Sequence, residues 1–245
     1  MLVFIDTEFT DLKSNAQLIS LGAITEYCDK FYAEIADYDK SLCSTFVKDT
    51  VIPNLLLGEK PYLGPDDSRL TSKNDIVVKR PLLSVGKTFV TWLLKSKDMC
   101  ADTSITFVSD VCHYDGVLIM DLIQKATNDQ VPSTINPMFI DISTLFALYA
   151  NQENVIFSEN NKNYKDIFQY AFDVNREEFS EIPQDEINGL KHNSLWDAYV
   201  IKECYDKLMK YFNHNDSILR IGTDINLSTI QDFIKEIKRK DGNNN

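Results

Sequence analysis

Basic residues are scarce in this sequence: 25 Lys and Arg stand against 37 Asp and Glu, leaving a net charge of −12. That balance disfavours tight, sequence-independent binding to long duplex, because such binding neutralises many phosphates with Lys and Arg. It leaves room for short or single-stranded substrates held through metal ions. The five cysteines (Cys28, Cys43, Cys100, Cys112, Cys204) never fall into the short paired spacings of zinc or redox motifs, so free reduced thiols are expected. No apolar run reaches the roughly 20 residues of a membrane span. There is no internal repeat, and no basic leader with a small-residue cleavage site precedes the first apolar segment. A cytoplasmic protein without membrane attachment is therefore expected.

What is present is ordinary for a globular chain, with 44% apolar and 25% charged residues among 245. This length suits one large domain, or a domain with an appended element, since single cores stop growing at roughly 250 to 300 residues. Three segments near the start read as strands: Leu2 to Phe9, Gln17 to Thr25 and Lys30 to Ile35, rich in β-branched and aromatic residues and separated by short polar turns. Consecutive strands joined this way predict an antiparallel meander. The pattern is mixed around Pro53, and 58–79 carries the Pro, Gly, Asp, Ser and Asn clusters of a surface loop.

Farther along, Val85, Phe89, Trp92 and Leu93 share one face of a helix predicted over 84–95, and Ile105 to Val108 reads as a fourth strand. Helices are expected over 115–126 and 143–150, with a short extended piece at 138–140 between them. The polar stretch 151–188 reads as weak helices, 194–212 as a strong helix, and 227–240 as an amphipathic helix before a disordered tail. Strands first, then alternating helix and strand, predict an α/β fold with a mixed sheet covered by helices. The expected division is a domain over 1–212 and a C-terminal extension over 213–245.

Chemistry is suggested at three places. Asp6 and Glu8 lie two apart near the end of an apolar strand, so both side chains project from the same face. Like charges held together there are costly unless cations compensate them. About one Asp-x-Glu is expected by chance in this composition, so the spacing carries less weight than the position. His192 and Asp197 flank the start of the strong helix; His-x4-Asp is expected only about 0.3 times by chance. A capping reading competes, because Ser194 with Asp197 three residues on matches a helix-start box. The third place is Ser109 to Gly116, where Asp110, His113 or Asp115 could reach a site, or an aspartate could simply start a helix. Gly116, unfavourable near a helix start, hints at close approach of another group.

Together these residues resemble the DEDDh exonucleases, the ribonuclease H-like 3′ to 5′ exonucleases that include oligoribonuclease and the proofreading exonucleases. The order agrees: Asp6-x-Glu8, then Asp115, then His192 and Asp197. The run from Asp6 to Leu12 (DTEFTDL) is similar to the Asp-x-Glu-Met-Thr-Gly-Leu of oligoribonucleases, with Phe9 and Asp11 as departures. Leu18 to Gly22, Phe31 to Ala33 and Val51 to Leu55 resemble in particular a bacterial and phage subgroup of exoribonucleases. At the second motif, Cys112-His113-Tyr114-Asp115 replaces the common Asn-x-x-Phe-Asp, which leaves Asp110 as an alternative to Asp115.

The resemblance implies a ribonuclease H-like mixed sheet, a three-stranded antiparallel meander plus further parallel strands, flanked by helices. It implies two divalent cations, Mg²⁺ or Mn²⁺, with Asp6 shared, Glu8 and Asp197 on one ion, Asp115 on the other, and His192 as general base. It also implies that Thr10 contacts a terminal 3′-hydroxyl and that Phe9 and Leu12 pack beside the last bases, the competing reading being that both face the core. Lys191, beside His192, is a candidate phosphate contact, the competing reading being a lysine that faces water. The implied partners are single-stranded RNA or DNA 3′ ends, RNA being favoured by the subgroup alone since no 2′-hydroxyl-reading motif is legible. A single-stranded DNA exonuclease and a non-catalytic adaptor of the same fold are the alternatives, and homodimer formation is left open.

Overall fold

A computed structural model describes residues 1–57, 74–145 and 191–214. The helix expected over 227–240, the tail and the 151–188 stretch lie outside the described residues. The chain divides into a unit spanning Met1–Tyr205 and a second spanning Asp206–Asn245, within which the described residues complete a helix.

The first unit is a mixed α/β structure on a six-stranded sheet. The meander is β1 (Leu2–Phe9), β2 (Leu18–Thr25) and β3 (Lys30–Ile35), with β1–β2 and β2–β3 both antiparallel. β4 (Ile76–Arg80), β5 (Thr106–Ser109) and β6 (Ile140–Asp141) add to it in the order β4-β3-β2-β1-β5-β6, each parallel to its neighbour. With the flanking helices, this antiparallel meander extended by parallel strands is the mixed α/β arrangement that was expected. β2, buried along its whole length, is the central strand of the meander, and its run LISLGAIT has no charged residue to expose.

Strand alternation assigns the two faces. Val3 and Ile5 of β1, Leu21 and Ala23 of β2, and Phe31 and Ala33 of β3 share a core with α1 (Leu82–Met99) and α2 (Cys112–Thr127) through Phe89, Trp92, Leu93, Ile119 and Leu122. Gly86 sits where α1 meets α2, and a Cβ there would come within 3.0 Å of the Leu122 carbonyl. The opposite face carries Phe4, Asp6 and Glu8 on β1, with Gly22 and Ser20 opposite the two acids on β2. α3 (Ser194–His214) begins against this face. A Cβ on Gly22 would lie 2.1 Å from the Ser194 carbonyl oxygen, so the helix start can approach β2 only because residue 22 has no side chain. Ser20 and Ser194 hydroxyls meet at 3.0 Å, and Phe4 packs at 5.3 Å on Tyr205.

Several boundaries differ from the sequence expectation. The predicted loop over 58–79 contains β4: Ile76-Val77-Val78 is a short β-branched run that pairs with β3 and buries Val77 and Val78. The mixed segment around Pro53 forms a strap of helical turns, Val47–Val51 and Ile52–Asn54, whose Val47, Val51, Ile52 and Leu55 cluster with Ile19. α2 starts three residues earlier than expected, which puts Asp115 inside its first turn. Residues 142–145 are helical, the rest of the helix expected over 143–150 lying outside the described residues. All five cysteines are free, and no helix among the described residues is long and apolar enough to cross a membrane.

Candidate metal centre

Parallel pairing of β1 with β5 brings their C-terminal ends together, the usual location of sites in α/β sheets. Asp6 and Glu8 stand at the end of β1, and the chain leaving β5 delivers Asp110 and then Asp115. The start of α3 supplies Asp197, with His192 just before it. These side chains form two groups, Glu8 with His192 and Asp197, and Asp6 with Asp110 and Asp115. Within each group one ligand atom per residue lies within 4.8 Å of the others, close enough to share an ion. The four acids and the histidine singled out in the sequence are thus brought together, and Asp110 joins them as a fifth carboxylate.

Asp115 is 1% exposed and firmly held. Its Oδ1 accepts from the Thr7 backbone N–H at 3.2 Å and from Thr7 Oγ1 at 2.5 Å, while Oδ2 accepts from the Ser109 hydroxyl. Other acids leave oxygens unmatched: Asp6 Oδ2, Asp110 Oδ1 and Asp197 Oδ1 are buried without a hydrogen-bond partner. Buried carboxylate oxygens rarely go unpaired, and oxygens placed like these suit a cation, a proton or a bound water.

The proton affinities agree. Asp6 is raised well above its ordinary 3.8, first by burial and then by Asp197, Asp115, Glu8 and Asp110, so it feels both groups at once. Burial, then Asp115 and Asp110, push Glu8 up to about 8. Asp115 rises to about 7 through burial, restrained by its hydrogen bonds from Ser109 and Thr7. Asp197 is raised by burial and by Glu8, and Asp110 chiefly by burial. Such a cluster is strained when ionised alone, and a set of hard oxygen donors with unmatched charge fits Mg²⁺ or Mn²⁺.

His192 sits in the left-handed region, with φ of 69°. Its Nδ1 faces Glu8 Oε1 at 4.0 Å, and its ring meets Phe46 edge-on at 5.1 Å. Burial, and then Lys191, lower its pKa, which favours the neutral imidazole. The capping alternative for Asp197 is half realised, by different residues. Asn193, not Ser194, caps α3, its Oδ1 accepting from Trp196 N at 3.2 Å. Ser194 turns instead to Ser20. Asp197 Oδ2 reaches back to the His192 backbone N–H at 3.0 Å, yet its Oδ1 is left for the site.

Phe9 stacks on Tyr114 at 5.0 Å with an 11° tilt beside the acids, and Leu12 is 69% exposed, so Leu12 does not face the core. Thr10 is buried, with its hydroxyl accepting from Gln17 N at 3.0 Å and its carbonyl accepting from Ser44 N at 3.0 Å. Gly116 lacks the close approach expected of it, since a Cβ there would meet only the Phe139 ring at 3.8 Å, an ordinary contact. The glycine that the site needs is Gly22. Asn54 was also not legible as a site residue, because its partners Lys191 and Asn193 are distant in sequence and hydrogen-bonded to it only in the fold.

No known family model matches the chain, and no curated protein does. Among solved structures, the Nibbler EXO domain of Aedes aegypti is similar at a TM-score of 0.39 and 11% identity, covering 87% of this chain and 79% of that chain. A likeness that distant carries no argument about activity.

Proposed function

We propose that this protein is a metal-dependent 3′ to 5′ exonuclease acting on single-stranded RNA or short oligoribonucleotides and releasing nucleoside 5′-monophosphates. The observation that carries the reading is the pair of facing ligand groups with Asp6 in the field of both, each group retaining an unmatched carboxylate oxygen. Glu8 and Asp197 would hold one divalent ion, Asp115 with Asp110 the other, and Asp6 would be shared. When bound, the ions would supply charge compensation and Lewis-acid polarisation of the scissile phosphodiester.

The side chains account for the remaining work. His192, neutral and beside Glu8, accepts the proton of the attacking water as the bond to phosphorus forms and the bond to the 3′-oxygen of the shortened strand breaks. Phe9 on Tyr114 offers a flat apolar wall beside the acids, and exposed Leu12 stands three residues on; stacking on such surfaces tolerates any base. With a net charge of −12, affinity would come from the site and its ions rather than from a basic surface. Preference for the 3′ end is supported by the resemblance of the Asp6 to Leu12 run to oligoribonucleases, and preference for RNA only by the resemblance to the bacterial and phage exoribonuclease subgroup.

The test is directional degradation of labelled RNA and DNA oligomers in Mg²⁺ or Mn²⁺. A blocked 3′ end should protect the substrate and a blocked 5′ end should not. Internal cleavage of a circular single strand would replace the exonuclease by an endonuclease, and faster loss of DNA than of matched RNA would move the substrate class to DNA.

A further inference from the structure

We propose that Asn54, on the strap between β3 and β4, is a positioning residue that sets the orientation of His192 for proton abstraction. The inference rests on His192 being the base of the proposed reaction. His192 is a non-glycine residue in the left-handed region, a conformation that persists where the surroundings fix it. Asn54 supplies that fixation from both sides. Its Nδ2 donates to the Lys191 carbonyl at 2.8 Å, and its own carbonyl accepts from Asn193 Nδ2 at 2.7 Å. The residues before and after the histidine are therefore both bound to Asn54.

Asn193 extends the hold into the helix, since its Oδ1 caps α3 through Trp196 N. The His192 N–H is itself taken by Asp197 Oδ2. With both neighbours and its own amide engaged, the imidazole is left facing Glu8 and Phe46.

Asn54 can act as an anchor because the strap is itself tied down. Asn54 is the last residue of the Ile52–Asn54 turn, which is capped by Leu55 N donating to the Ile52 carbonyl at 3.3 Å. The next two residues are bound to β3: Leu56 N donates to Tyr32 Oη at 3.3 Å and Leu57 N to Glu34 Oε1 at 2.8 Å. Tyr32 Oη also donates to Glu34 Oε1 at 3.0 Å, so the strap end and β3 form one network. Geometry is thereby passed from β3 through Asn54 to the histidine loop. Asn54 lies on the Val51 to Leu55 segment singled out in the sequence, but its bonds go to the loop and not to a candidate ligand.

The experiment is a pair of substitutions in the full chain, Asn54→Ala and Asn54→Leu, each made alone and together with His192→Ala. Degradation of a single-stranded RNA oligomer in Mn²⁺ is read beside calorimetric Mn²⁺ binding and melting curves. Either single variant should lower kcat by about 10- to 100-fold while KM and Mn²⁺ affinity stay within about twofold. In the His192→Ala background neither should cost anything more, because the residue it acts through is gone. In the metal-free protein the backbone amide resonances of residues 191–193 should move and those of β1 should not.

An equal loss in both backgrounds, or an unchanged kcat in a folded variant beside a crippled His192→Ala, would overturn the inference and leave the base reading standing. A wild-type rate in His192→Ala alone would overturn both. If neither Asn54 variant folds, Asn54 is a folding residue and the inference is overturned.

Discussion

The two ligand groups are held in different ways. Asp6, Asp110 and Asp115 stand at the ends of adjacent parallel strands and in the first turn of α2, and Asp115 is locked by Thr7 and Ser109, which belong to those strands. Glu8, His192 and Asp197 join one strand residue to a loop and a helix start that are held from outside, by Asn54 and by the gap at Gly22. The first group inherits its geometry from the sheet. The second depends on a left-handed residue and a short clamp that reaches it from outside the sheet.

Substitutions should separate the halves. The largest effect is expected at Asp6, which feels all four other carboxylates. Asp6→Asn should lower the rate on an RNA oligomer by about 10³-fold or more with the melting curve intact, since both groups lose a shared charge. A near-native rate in Mg²⁺ would divide the site into independent halves and remove Asp6 as their link.

Next in size, His192→Ala should reduce turnover by roughly 10² to 10⁴ with Mn²⁺ affinity almost unchanged, as for loss of a base. Asp197→Ala should weaken Mn²⁺ binding instead. Geometry alone would let His192 ligate an ion with Glu8 and Asp197, and a large fall in Mn²⁺ affinity in His192→Ala would assign it that role. Unchanged Mn²⁺ binding and turnover in Asp197→Ala would reduce Asp197 to its hydrogen bond with His192 N.

A smaller loss, about 10- to 100-fold in metal affinity or activity, is expected for Ser109→Ala or Thr7→Val, which free Asp115 from its holders. If both changes are silent, the hold on Asp115 is irrelevant to function, and Asp110 is the residue to test in its place.

The gentlest probe is pH without metal. Glu8 rises from 4.5 to about 8 and Asp115 from 3.8 to about 7 on folding, so the folded state binds protons more tightly than the unfolded chain. Stability from these groups is fully present below their ordinary values and is lost as pH climbs through the folded ones. The melting temperature of the metal-free protein should therefore fall between about pH 4.5 and 8 on this account, and Mn²⁺ should flatten that dependence. A metal-free melting temperature that rises over the same window would contradict the strained-cluster description.

Much of this was legible in the sequence where chemistry and period coincide. Strand alternation put Asp6 and Glu8 on one face, and the apolar stripe on α1 marked the face that packs on the sheet. What escaped was determined by distant neighbours. Gly22 looks like any strand glycine until α3 lies on it, and Asn54 like any turn asparagine until the histidine loop reaches it. β4 was hidden because a three-residue β-branched run adjoins a stretch of turn formers, and only its pairing with β3 makes it a strand. Local spacing favours a capping box on Ser194, whereas the tertiary contact with Ser20 draws that hydroxyl away and leaves Asn193 to cap.

Whether one carboxylate joins the two ligand groups into a single two-ion site is decided by calorimetric Mn²⁺ titration of the wild-type protein beside Asp6→Asn. The wild type should bind about two ions, as in two-metal sites, and the variant should show a marked loss of affinity. Absence of Mn²⁺ binding by the wild type, or binding that Asp6→Asn leaves unchanged, would contradict a shared site.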